Sequence, residues 1–91
     1  MKIKEIQERN YRATVKRGQI TETTNFYDFL RKIHEEVEEL YHGYHHTGIV
    51  DPLELADIQL VCMSLAEHYG IDNKKALEQK TIINENRKDG K

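Results

Sequence analysis

From Phe26 to Leu40, apolar side chains recur every three or four positions, and that spacing predicts an amphipathic helix. Phe26, Phe29, Leu30, Ile33, Val37 and Leu40 make up the stripe. The threonine-rich segment ITETTN ahead of it offers N-caps, and Gly43 is the expected stop. Upstream, Ile3, Ile6, Tyr11 and Val15 form a weaker apolar set on a helix from about Lys2 to Arg17, ended by Gly18. Downstream, Asp51 and Pro52 read as N-cap and first residue of a third helix, Pro52 to Tyr69, closed by Gly70. Asp72 caps a fourth from about Asn73 to Arg87, which leaves KDGK as a tail. With one proline and no internal repeat, the chain reads as all-α, a four-helix bundle with short connections.

Composition narrows the picture. A length of 91 residues fits a single domain spanning residues 1–91. Charged residues make up 33% and hydrophobic ones 37%, so the apolar stripes are narrow and a second subunit is expected to complete them. A net charge of −2 argues against nucleic acid as a partner, because no basic excess is present to neutralise phosphates. It also gives no reason for attachment to an anionic membrane. The first ten residues lack the apolar centre of a signal peptide. The apolar run near Ile58 to Ala66 is interrupted by Gln59 and Ser64 and is too short to span a bilayer. Cys62, the lone cysteine, lies in that run and is expected to be a buried, reduced thiol. These features point to the cytoplasm.

Negative charge is concentrated at two places. IHEEVEEL, Ile33 to Leu40, holds four glutamates in eight residues, and DPLELAD, Asp51 to Asp57, opens the third helix with Glu54 and Asp57. A glutamate run is most simply a solvated helix face. At about 100° per residue, however, Glu36 sits only roughly 60° from the centre of the apolar stripe, whereas Glu38 points away from it. Glu39 follows one turn on. Like charges at these spacings repel. Arg31 and Lys32 precede Glu35 and Glu36 by four residues, which is the less favourable order for a helical pair. Helix stability explains the cluster poorly.

Glu54 has a structural explanation, since Asp51 to Glu54 fits a capping box and early acids suit the helix dipole. Asp57 lies deeper, in step with Val61 and Leu65, and has no basic partner in its own helix. A buried unpaired carboxylate is costly, so a positive group is expected opposite. The groups at the apolar edge of the second helix are themselves acidic, which points to a bound cation. With oxygen ligands alone on offer, a hard ion such as Mg²⁺ fits better than zinc.

Glu35-Glu36-x-x-Glu39 followed by Glu54-x-x-Asp57 resembles the EExxE…ExxD signature of MazG-like nucleoside triphosphate pyrophosphohydrolases, members of the all-α NTP pyrophosphatase superfamily. SLAEHYGID and KALEQKTIINENR resemble the family's turn between third and fourth helices and its Lys-x-x-x-Asn-x-x-Arg element, here Lys80, Asn84 and Arg87. The resemblance covers roughly Phe26 to Lys91. It implies hydrolysis of a nucleoside triphosphate to monophosphate and pyrophosphate, dependent on Mg²⁺ with Mn²⁺ as the alternative ion. Glu36, Glu39, Glu54 and Asp57 would hold the metal; Glu35, Glu36 and Glu39 would be catalytic, Glu35 either by binding the metal through water or by orienting the attacking water. Lys80 and Asn84 would contact phosphate or sugar, Arg87 a phosphate, and Lys91 is a further candidate. The resemblance also implies a homo-oligomer, dimer or tetramer, with sites near subunit contacts. The sequence has no tryptophan to stack on the base; Phe26, Tyr27, Phe29 or Tyr11 would replace it, although both phenylalanines suit the core.

Two other readings share these residues. One is phosphoribosyl-ATP pyrophosphohydrolase, against which the Lys80-Asn84-Arg87 element argues. The other is a helical interaction module whose acids bind metal without turnover. The segment YHGYHHTG places His42, His45 and His46 close together. An exposed loop is the expected reading, with a substrate-side loop or a structural zinc site as alternatives.

Overall fold

The computed structural model describes residues 1–88; the end of the KDGK tail, and the Lys91 candidate with it, lies outside them. Among the described residues there are four helices and no strand: α1 (Ile3–Lys16), α2 (Phe26–Thr47), α3 (Pro52–His68) and α4 (Asn73–Glu85). The all-α reading holds. Asn25 opens α2 with a reciprocal capping box: Asp28 N donates to Asn25 Oδ1 at 3.2 Å, and Asn25 N to Asp28 Oδ2 at 2.9 Å. The second of these bonds, from the Asn25 backbone, holds the Asp28 carboxyl below the ordinary carboxylate range. Asp51 caps α3 by accepting from Leu53 N at 2.8 Å, and Asp72 caps α4 by accepting from Lys75 N at 3.1 Å.

One boundary differs. α2 does not stop at Gly43 but runs on to Thr47, so His42, His45 and His46 are helical and not in a loop. Glycine inside a helix costs only about 1 kcal/mol relative to alanine. The turn that does end the helix needs a left-handed residue, and Gly48 supplies it at φ 71°, its N–H donating to Tyr44 O at 2.7 Å. The histidines then serve local contacts. His42 lies 3.2 Å from Glu38, and His45 stacks on Tyr41. None of the three belongs to a group with metal-ligand spacing among the described residues, so nothing favours the zinc alternative.

α3 is the central element. It packs against α2 and α1, whereas α4 touches α1 and α3 but not α2. The buried face of α1 is more polar than its apolar set predicts. Gln7 is buried and Asn10, Tyr11 and Thr14 half-buried, while Val15 is exposed. Gln7 Nε2 donates to Glu67 Oε1 at 3.0 Å, and Asn10 Nδ2 donates to Ser64 Oγ at 3.0 Å and to Leu60 O at 3.4 Å. His68 ties three elements together. Its Nε2 lies 2.8 Å from Thr24 O, which can only accept, so Nε2 carries the hydrogen and Nδ1 accepts from Tyr11 OH at 2.7 Å. Tyr11 and the buried Phe29, whose ring centre is 5.1 Å from that of His68, therefore build the core.

The core itself is small. Ile20, Phe29 and Ala66 are its buried apolar members, and among the described residues no side chain is completely enclosed. Phe26, Leu30 and Val37, expected in the buried stripe of α2, are 46%, 37% and 47% exposed. Cys62 is also exposed, contrary to the buried thiol expected of it. The cause is common to both helices: α3 carries apolar groups around its circumference, and one chain supplies neighbours for only part of it. The accessible surface is 7368 Å², against about 5,500 Å² for a compact monomer of this mass. The radius of gyration is 15.0 Å, against about 12 Å for a compact chain of this length.

Candidate functional site

α2 and α3 bring the two acidic motifs together. Glu36 comes from the middle of α2, Glu54 and Asp57 from the first turns of α3, and one carboxylate oxygen of each lies within 4.8 Å of the others. The packing of α2 on α3 explains the approach, because Glu36 stands at the edge of the stripe that turns Phe29 inward. Glu36 is 7% exposed. Its Oε2 and Glu54 Oε2 are both buried without a hydrogen-bond partner. Asp51 caps α3 through its own side chain, and the inward oxygen of Glu54 is left over. An orphaned buried carboxylate oxygen is destabilising, so the capping-box account of Glu54 is incomplete.

A positive group does sit beside Glu36, and it comes from its own helix. Lys32 Nζ lies 3.1 Å from Glu36 Oε1 and 3.7 Å from Glu35 Oε2. The hydrogen bond to Glu36 and the surrounding carboxylates raise the lysine pKa above its usual value. Arg31, by contrast, pairs with Asp28 at 3.3 Å and not with Glu35. The expectation that only acids line this edge is thus corrected. Lys32 neutralises one oxygen of the cluster and leaves the other orphaned. Glu39 is exposed and outside the tight triad, but it is electrostatically joined to it. The charge of Glu36 raises its pKa first, then partial desolvation, a hydrogen bond to Glu36 when Glu39 holds a proton, and the charge of Glu54. Two buried orphaned oxygens, a third carboxylate in reach and no soft donor make a set that fits a hard divalent cation.

Beside the triad a cavity of about 580 Å³ opens between α1, the α1–α2 connection, α2 and α3. Its lining mixes the acids Asp28, Glu35, Glu36 and Asp57 with the cations Arg17, Arg31 and Lys32, and Asn10, Phe29 and Ser64 also contribute. Comparison with protein-family models, with curated proteins and with solved structures finds no match to this chain. Its residues alone must carry the argument.

The remaining expected site residues do not join the cavity. Lys80 and Asn84 lie on α4, which has no buried residue and contributes nothing to the lining. Arg87 falls beyond the C-cap residue Asn86 and so off the helix that was to align it with them. Phe26 and Tyr27 are exposed and meet edge to face, so neither is core. Conversely, Asn10, Arg17 and Ser64 were missed. Ser64 had left a signal, an interruption of an apolar run. Asn10 and Arg17 had left none, since polar residues on a short amphipathic helix are ordinarily solvated.

Proposed function

We propose that the protein hydrolyses a (deoxy)nucleoside triphosphate to the monophosphate and pyrophosphate, as its resemblance to MazG-like pyrophosphohydrolases implies. The observation that carries this reading is the pair of orphaned buried oxygens on Glu36 and Glu54 beside a cavity whose lining includes Arg17, Arg31 and Lys32. Glu36, Glu54 and Asp57 would hold the ion, with Glu39 as the fourth, outer carboxylate. When bound, Mg²⁺ offsets the charge of the phosphates and polarises their bonds. Glu35 lines the cavity and is exposed, so it is placed to accept a proton from a water poised for attack at the α-phosphorus. Lys32, drawn to Glu36 and Glu35 in the free protein, is within reach of the same space.

The active species is a homo-oligomer, dimer or tetramer. Support comes from the surplus surface and from the exposed apolar groups of α2, α3 and α4, which a second copy would cover. That assembly would also give Lys80, Asn84 and Arg87 a role, since α4 of one subunit could then approach the acids of another.

Incubation with the common nucleoside triphosphates and Mg²⁺, followed by product identification, tests the reading. Monophosphate and pyrophosphate are expected. Orthophosphate with diphosphate would place attack at the γ-phosphorus and overturn the assignment. No turnover in any oligomeric form would leave the metal-binding interaction module as the better account.

A further inference from the structure

Lys80 and Asn84, expected to hold phosphate or sugar, lie on α4 and do not line the cavity of one chain, whereas the cations Arg17, Arg31 and Lys32 do. Resting on the pyrophosphohydrolase reading for its substrate class, we infer that the cavity between α1, α2 and α3 is the nucleotide site. Arg17, Arg31 and Lys32 grip the phosphates from within the same chain, and the Asn10–Ser64 pair recognises the nucleoside.

The charges of the wall support the first half. Arg17 Nη2 is held only by a 3.4 Å contact to Gln19 Oε1, and Arg31 by an exposed pair with Asp28. Such surface contacts contribute little and are readily exchanged for a phosphate, which accepts several charge-assisted hydrogen bonds. α2 places Arg31 and Lys32 just ahead of Glu35 and Glu36, so the grip adjoins the acids rather than standing on another element. Three cations there face four carboxylates, Asp28, Glu35, Glu36 and Asp57, for a formal balance of −1. Without an ion the cavity repels a triphosphate; with one divalent cation the balance becomes positive. Nucleotide binding is therefore strictly dependent on the metal.

The neutral part of the cavity supports the second half. Leu60 O can only accept, which fixes the Asn10 amide so that Nδ2 faces α3. Both hydrogens of that group are taken by Leu60 O and Ser64 Oγ, and among the described residues nothing donates to Asn10 Oδ1. Asn10, which lines the cavity with the buried Ser64 and the apolar Phe29 and Leu60, thus carries an oriented acceptor that no described residue uses. A rigid acceptor next to apolar walls discriminates between bases that present a donor at that point and bases that do not.

The test is calorimetric binding of α,β-methylene deoxynucleoside triphosphates of the four bases to the full chain, with and without Mg²⁺. The double variant Arg17→Ala with Arg31→Ala should weaken Mg²⁺-dependent binding about tenfold or more for every base. Asn10→Ala, which removes the acceptor, should change the ratio of affinities among the bases. Circular dichroism of each variant verifies the fold, and Arg12→Ala, at an exposed arginine of α1 outside the cavity lining, serves as the comparison. Unchanged affinity in the double arginine variant, or tight binding without a divalent ion, overturns the phosphate assignment. An equal loss for all bases in Asn10→Ala overturns the nucleoside assignment. Wild-type protein that binds no analogue overturns both. Binding without pyrophosphate release from natural triphosphates defeats the hydrolase reading alone and leaves the site standing.

Discussion

The α2–α3 pair and α4 are both helices of moderate length with clear caps, yet they differ in what they bury. α2 and α3 turn Phe29, Glu36, Ser64 and Ala66 inward and between them assemble three carboxylates. α4 buries nothing, and Leu77, Ile82 and Ile83 stand about half exposed on it. The acidic half of the candidate site is therefore organised within a chain, and the half expected on α4 is not. An acidic triad at close quarters needs two packed helices to hold it against its own repulsion. A basic helical face needs only a partner to approach.

The largest expected effect tests the organised side. Glu54→Gln should lower pyrophosphate release by about 10² or more, the scale of losing a group that acts on developing charge. The fold should persist, and the melting temperature without metal should rise, because one member of a repelling set has been removed. Full activity in this variant would reduce Glu54 to a residue of the helix start.

Next, α4 can be tested for action across subunits. Light scattering should show an oligomer at assay concentration. Mixing inactive Glu54→Gln with an inactive Asn84→Ala protein should restore part of the activity. An active monomer, or no recovery despite demonstrated subunit exchange, would confine each site to one chain and sharpen the case for Arg17 and Arg31.

A smaller effect distinguishes the two regions by stability. Phe29→Ala should cost about 3–5 kcal/mol in denaturant unfolding. Ile82→Ala should cost less than about 1 kcal/mol at dilutions that separate subunits, and more at concentrations where a neighbour covers it. Equal costs at high dilution would show α4 to be as well packed as α2.

The smallest effect is electrostatic. Glu39 has a pKa raised above 4.5, chiefly by the charge of Glu36, so the folded protein keeps a proton that the unfolded chain has already released. Stability then falls as pH climbs from about 4.5 through the raised value. Melting curves of metal-free protein should show this decline, and Glu39→Gln should flatten it. A wild-type melting temperature that rises through the same window would contradict the coupling.

The sequence made the helices legible because the period of their apolar residues is strong and their caps are local: Asp51, Pro52 and Asp72 lie where they act. It also identified Glu36, whose angle to the Phe29 face is a property of one helix. Lys32 was visible but undervalued, since pair order on an isolated helix says nothing of a pair whose acid is pressed against α3. The extension of α2 past Gly43 was hidden because glycine is only weakly disfavoured within a helix, and a better left-handed stop lay at Gly48. Asn10 and Arg17 were hidden for another reason. Their importance depends on α1 lying over α3, and no short-range pattern encodes that.

The tight turn that follows α2 bears on the order in which the molecule folds. Gly48 ends one helix, the Thr47 hydroxyl accepts from Ile49 N, and Asp51 starts the next, so α2 and α3 form a helical hairpin stitched by local contacts. Contacts of short sequence separation close early and fast. The hairpin is accordingly the natural nucleus, with α1 docking later through the more distant Tyr11–His68 and Gln7–Glu67 bonds. Yet this same closure drives Glu36 towards Glu54 and Asp57, so the nucleus must assemble against mounting repulsion. Lys32 is already present on the growing helix and relieves part of that opposition before any ion arrives. A lysine that looks misplaced beside a cluster of acids is, on the path to the native state, the chain's own first counter-ion.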